Sequence, residues 1–111
     1  MEEVQQQIDE WVKGNKIMLF MKGTPSFPMC GFSARVVQVL KTHEVPFEAV
    51  NVLADQRVRE GIKAYGNWPT IPQLYVDGQL VGGCDITMQM HANGELGPLL
   101  QKAAETETAP A

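Results

Sequence analysis

An unbroken apolar run, Ile17-Met18-Leu19-Phe20-Met21, is followed by Gly23, Pro25 and Pro28 and then by Cys30-Gly31-Phe32-Ser33. Five consecutive apolar residues bounded by breakers read as a buried strand and the loop that ends it. Beyond Gly31, Val36, Val37 and Leu40 recur at helical spacing. Strand, short loop and helix follow one another, and Cys30 stands where the helix begins. Free backbone N–H groups and the positive end of the helix dipole point at that place, and both favour a thiolate over a thiol. A Lys22 ammonium nearby acts in the same direction, so Cys30 is expected to be more acidic than an ordinary cysteine. A buried, inert cysteine is the alternative, but a loop flanked by Pro28 and Gly31 is a poor place for a core residue. The fourth residue of the motif is Ser33, where a redox CxxC has its second cysteine. Cys30 therefore cannot close a local disulfide, and any thiol chemistry must recruit an outside thiol or the distant Cys84.

At 111 residues the chain is long enough for one domain with one core. Its net charge of −4 argues against a nucleic-acid partner, although Lys22, Arg59 and Lys63 can form a local basic spot. No apolar run approaches the ~20 residues that span a membrane, and the acidic, glutamine-rich start does not read as a signal peptide. Two cysteines in unlike contexts do not make a secreted disulfide framework. The expected setting is cytoplasmic, or an organelle matrix after removal of a targeting segment.

Taken in order, Glu2 to Lys13 reads as an amphipathic helix with Val4, Ile8, Trp11 and Val12 on one face, stopped by Gly14-Asn15. The strand Lys16–Met21, the helix Gly31–His43 and a second strand, Phe47–Leu53, make a right-handed βαβ unit. Asp55 is the expected N-cap of a helix running to about Tyr65, with Val58, Ile62 and Tyr65 facing inward. Arg59 and Lys63 lie one turn apart on the neighbouring face. Trp68-Pro69-Thr70-Ile71-Pro72 is a rigid loop in which Trp68 reads as a packing wedge. Gln73–Val76 and Gln79–Val81, joined by Asp77-Gly78, read as a hairpin with a type I′ turn. A helix from Gly83-Cys84 to about Ala92 and a last short helix through Leu96, Leu99, Leu100 and Ala103 complete a domain of residues 1–104. Residues 105–111 are expected to be a disordered tail. His43 and His91 read as lone histidines, and the methionines as core filler. The fold class is α/β, with a mixed four-stranded sheet flanked by helices on both faces.

Ligands in such sheets bind beyond the carboxyl ends of the parallel strands. Lys22 and Cys30 follow the first strand there, and Ile71-Pro72, Gly83-Cys84-Asp85 and Arg59 are expected to approach the same end. Lys22, Cys30-Gly31-Phe32-Ser33, Trp68-Pro69-Thr70-Ile71-Pro72 and Gly82-Gly83-Cys84-Asp85 together resemble the signature set of the monothiol, CGFS-type glutaredoxins, over roughly Glu2 to Lys102. The resemblance implies a thioredoxin fold and a cis Pro72 that leaves the main chain of Ile71 free to pair with an extended ligand. It implies glutathione as cofactor, bound by Lys22, Phe32, Arg59, Ile71, Cys84 and Asp85, with Lys63 left open. It further implies a labile 2Fe–2S cluster ligated by Cys30 and bridging a homodimer. A BolA-type protein is the implied heterodimer partner, and iron–sulfur apoproteins are the implied recipients. The implied role is cluster carriage in biogenesis and iron homeostasis. The alternative is a glutathione-dependent thiol–disulfide oxidoreductase that removes glutathione from proteins through Cys30. Cys30 and Cys84 are also the only pair that could form an internal, cluster-displacing disulfide.

Overall fold

The computed structural model describes residues 3–108 of the chain. Helix α1 (Glu3–Gly14) leads into strand β1 (Ile17–Met21). A two-residue hairpin follows, β2 (Gly23–Thr24) with β3 (Phe27–Pro28), and then α2 (Gly31–Thr42) and β4 (Glu48–Asn51). After a 3-10 turn at Val52–Ala54 come α3 (Gln56–Gly66), β5 (Gln73–Val76), β6 (Gln79–Gly82), α4 (Cys84–Ala92) and α5 (Leu96–Thr108). The main sheet has the order β4-β1-β5-β6. Strands β1 and β4 are parallel, with Leu19 opposite Ala49. Strand β5 lies antiparallel to β1, with Leu19 opposite Leu74, and β6 is antiparallel to β5. This is the expected mixed four-stranded α/β architecture.

The continuous apolar run of β1 is explained by its place in the sheet. Successive side chains on a strand point to opposite faces, and every residue of β1 is buried. Ile17, Leu19 and Met21 join Leu74 and Val76 in a core closed by α2, α4 and α5. Met18 and Phe20 point the other way, into a core with Tyr75 that Ile8 and Val12 of α1 and Val58 and Ile62 of α3 close. A strand with helices on both faces has no solvent face on which to place polar residues.

The local signals act where expected. The Asp55 side chain accepts a hydrogen bond from the Arg57 N–H and caps α3. Asp77 (φ 54) and Gly78 (φ 82) are both left-handed, as a type I′ turn demands. At the end of α3, Asn67 is left-handed and the Trp68 N–H donates to the Lys63 carbonyl at 3.0 Å, which sets the direction of the following loop. The Ile71–Pro72 peptide is cis.

Three expectations need correction. The second strand is shorter than Phe47–Leu53. It ends at Asn51, whose side chain accepts from the Leu53 N–H and turns the chain into the 3-10 segment. Residues 105–108, expected in a disordered tail, continue α5, as the strong helix formers Ala103, Ala104 and Glu105 favour. Residues 109–111 of that tail, and Glu2 at the start of the first helix, lie outside the described residues. The hairpin β2–β3 was not anticipated. It turns on Gly23 (φ 92), where an added Cβ would stand 2.6 Å from both the Met29 nitrogen and the Phe27 carbonyl oxygen.

Candidate functional site

The loop after β1 is tied down from three sides. The Lys22 N–H donates to the Ser33 hydroxyl at 3.1 Å. The Met29 N–H donates to the Lys22 carbonyl at 2.9 Å. The Gly23 N–H donates to the Asn51 side chain at 2.9 Å. These bonds hold Lys22 beside the start of α2, where Cys30 is the extended N-cap residue (φ −156°, ψ 136°). No cap hydrogen bond to its sulfur reaches full geometry, yet the surrounding dipoles tell. Burial pushes the Cys30 thiol up, but the backbone N–H groups of Ser33 and Phe32, the Ser33 hydroxyl and the Lys22 ammonium outweigh it, and the thiol lies below its ordinary value. Ser33 itself is fully buried, so its place in the motif is that of a loop anchor and thiolate partner.

Across the cleft, α4 begins at Cys84 behind Gly83. Gly83 suits this place, since a Cβ would sit tightly against the Pro72 carbonyl oxygen at 3.2 Å and the Trp68 Nε1 at 3.3 Å. Its absence lets the start of α4 lie against the loop that carries the cis proline. Burial pushes the Cys84 thiol up, the Asp85 and Cys30 charges add to this, and Arg35 on α2 opposes it without winning. The two cysteines are thus chemically opposite, one acidic and partly exposed, the other buried and reluctant to ionise.

Lys22, Cys30, Phe32, Arg59, Ile71, Cys84 and Asp85 all line one open cleft of about 420 Å³. Lys63 lines it too, though its ammonium already pairs with Glu60 at 3.5 Å. Among the described residues, the ion pairs Lys13–Asp9, Lys16–Asp77, Arg57–Asp55 and Lys63–Glu60 leave Lys22 and Arg59 without a carboxylate partner. Two buried donors at the cleft, Arg59 Nε and Trp68 Nε1, make no hydrogen bond. Buried donors are nearly always paired, so the cleft has a surplus of donors suited to a ligand rich in acceptors and negative charge.

Some contributors were not read from the sequence. Trp68, expected only as a wedge, also lines the cleft, with Pro69, Thr70 and Ile86. Gln73 is fully buried. Its Nε2 donates to the carbonyls of Trp68 at 3.0 Å and Thr70 at 3.3 Å, and its Oε1 accepts from the Tyr75 hydroxyl at 2.9 Å. The loop that forms one wall of the cleft is therefore held from beneath by an amide. The signal was present as a lone polar residue in an otherwise apolar strand, Gln73-Leu74-Tyr75-Val76.

The contrast between the thiols has a direct kinetic consequence. Thiolate is the reacting species, and one pKa unit changes its fraction about tenfold at a pH below both values. Iodoacetamide at neutral pH is expected to label Cys30 several-fold faster than Cys84, because thiolate fraction and access both favour Cys30. The Cys30 rate should reach its plateau at a lower pH than an ordinary thiol. Quenched aliquots followed by peptide mass spectrometry measure both rates, and comparable labelling would contradict the assignment of the acidic thiol.

Comparison with known proteins agrees with this geometry. Residues 17–81 match the model of the glutaredoxin family. The chain is 54% identical to a monothiol glutaredoxin of Synechocystis sp. over 91% of its own length and 94% of that protein's. It is 56% identical to the mitochondrial glutaredoxin-related protein 5 of Danio rerio, with 88% of this chain and 64% of that one covered. The solution structure of reduced poplar apo GrxS14 superposes with a TM-score of 0.79 at 50% identity, covering 90% of this chain and 92% of that one. A single partly exposed thiol at a helix start, a serine where a second cysteine would stand, a cis-proline loop and these relatives lead to one conclusion: the chain belongs to the glutaredoxin family, in its monothiol branch, and has the thioredoxin fold.

Proposed function

We propose that this protein binds glutathione in the cleft and, with a second copy of itself, carries a labile 2Fe–2S cluster for delivery to apoproteins. The observation that carries the reading is Cys30, an acidic, partly exposed thiol with no second reactive thiol beside it. A 2Fe–2S cluster takes four thiolates. Among the described residues, no three His, Cys, Asp or Glu side chains converge to hold a metal. One Cys30 and one glutathione thiol from each of two chains supply the four. Ligands that exchange with a soluble pool suit a cluster that is passed on. Phe27, Met29 and Phe32 stand 73%, 62% and 57% exposed around Cys30. That apolar rim supports an interface at this face, where a second chain, or a BolA-type protein in its place, would shield the cluster from water.

Glutathione carries two carboxylates, one ammonium and one thiol, and the cleft offers a counterpart to each. Lys22 and Arg59 would take the glycyl carboxylate. The Ile71 main chain would pair with the extended tripeptide, and Phe32 would line its thiol end. The N–H groups of Cys84 and Asp85 at the start of α4 would take the γ-glutamyl carboxylate, and the Asp85 carboxylate its ammonium. Lys22→Ala and Arg59→Ala should each weaken glutathione binding by about 1 kcal/mol in this solvated cleft, and by less at high salt. Titration calorimetry checks this, and unchanged affinity in both variants would remove the cationic clamp.

The acidity of Cys30 also favours a second reading, glutathione-dependent thiol–disulfide exchange through a Cys30 mixed disulfide. Against turnover, Ser33 offers no thiol, and Cys84 is held in its unreactive protonated form. Anaerobic reconstitution with iron and sulfide separates the two readings. Cluster carriage predicts brown protein only when glutathione is present. The exchange reading predicts colourless protein with sustained reduction of a glutathionylated substrate.

A further inference from the structure

Helices α2 and α4 both begin at the cleft, with Cys30 and Cys84, and both run away from it to end beside one another. At that far end, about 18 Å along α2 from Cys30, the two histidines meet. His43 is the C-cap residue of α2 and His91 lies in the last turn of α4. His43 Nε2 and His91 Nδ1 are 3.0 Å apart, with ring centroids at 5.0 Å and planes crossed at 87°. Both residues are half-buried. The His43 ring lies over Gly97 of α5, where an added Cβ would be 3.4 Å from its Cε1, and Gln101 Nε2 fixes the His43 carbonyl at 3.1 Å. Residues expected to be isolated on separate helices are therefore held together by the packing of three.

We propose that His43 and His91 form a binding site for a divalent transition metal, remote from the thiol cleft and taking a cation of tetragonal or octahedral preference such as Ni²⁺. Metal–nitrogen bonds of ~2.0–2.1 Å to nitrogens 3.0 Å apart subtend roughly 91–97° at the metal, close to the right angle between neighbouring ligands in such geometries. In the metal-free protein one ring donates its N–H to the other. Metal binding requires both facing nitrogens to be bare. The proton moves to His43 Nδ1 or His91 Nε2 as a tautomeric shift, and the rings turn about χ2 to aim both lone pairs at one point. The negative ends of the α2 and α4 dipoles converge there and favour a cation. Water fills the remaining coordination positions, which the partial exposure of both residues allows.

The test is a Ni²⁺ titration of the full chain carrying Cys30→Ser and Cys84→Ser, which removes thiol ligation. Nitrogen-15 NMR locates the metal and calorimetry measures its affinity. One equivalent of Ni²⁺ at pH 7.5 should broaden the amides around 43, 91 and 97 first, together with the ring signals of both histidines, whose facing nitrogens are 3.0 Å apart. His43→Gln and His91→Gln should each weaken binding at least about tenfold, and combining them should add little, because both serve one site. Broadening centred elsewhere would overturn the proposal, as would affinity within about twofold of the parent in either single variant. The ring signals need no histidine substitution, so they decide the matter even where a variant fails to fold. Ring signals of His43 and His91 that stay sharp at one equivalent of Ni²⁺ refute imidazole ligation.

Discussion

Reconstituted anaerobically with iron, sulfide and glutathione, the Cys30→Ser protein is expected to stay colourless, while Cys84→Ser takes up most of the parent's cluster. The difference between the two thiols is electrostatic. A cluster ligand must be a thiolate, and Cys30 has the helix-start N–H groups of Phe32 and Ser33, the Ser33 hydroxyl and Lys22 to hold it as one. Serine in its place offers a hydroxyl whose proton is far harder to lose. Cys84 is buried, with its thiol pushed up, and the part assigned to it is a backbone N–H, which serine keeps. Visible absorbance per chain measures the outcome. A full cluster on Cys30→Ser, or equal loss in the two variants, would show that the ligand has been misassigned.

Gln73→Leu is expected to cost about 3 kcal/mol of stability, since each orphaned buried polar group costs ~1–3 kcal/mol. The change preserves bulk but leaves the Trp68 and Thr70 carbonyls and the Tyr75 hydroxyl without their partner. Native domains hold only ~5–15 kcal/mol in reserve, so the denaturation midpoint should fall visibly. Tyr75→Phe leaves the amide–carbonyl bonds in place and should cost about 1 kcal/mol. The larger change should also weaken glutathione binding more than the smaller, because the loop from Trp68 to Pro72 is one wall of the cleft. Urea titrations with calorimetry on both variants measure this. Equal stability losses, or an unchanged glutathione affinity in Gln73→Leu, would contradict the role given to the amide.

The legible parts of the fold are those with short-range causes. Ile17–Met21 announces a strand without a solvent face, and the sheet places helices on both sides of it. Asp55 and Asp77-Gly78 act through their own side chain or φ angles, so their neighbours suffice to read them. The candidate site was legible because strand order carries Lys22, Cys30, Ile71 and Cys84 to one end of the sheet, where all line one cleft. What escaped depends on partners distant in the chain or on very short elements. The β2–β3 hairpin has two residues per strand, too few for any period, and Gly, Pro and Ser obscure it. The continuation of α5 past Ala104 follows from helix propensity, which its polar composition masked. His43 and His91 lie on different helices, and nothing near either one signals the other.

In the proposed assembly each of two chains contributes one protein thiolate and one glutathione to a shared cluster. Native mass spectrometry of the anaerobically reconstituted protein tests it most directly, because the mass counts every component. The predicted species contains two chains, one 2Fe–2S unit and two glutathione molecules, and it separates into chains when the cluster is chelated. A cluster on a single chain, or a cluster-bearing dimer without glutathione, would contradict the account.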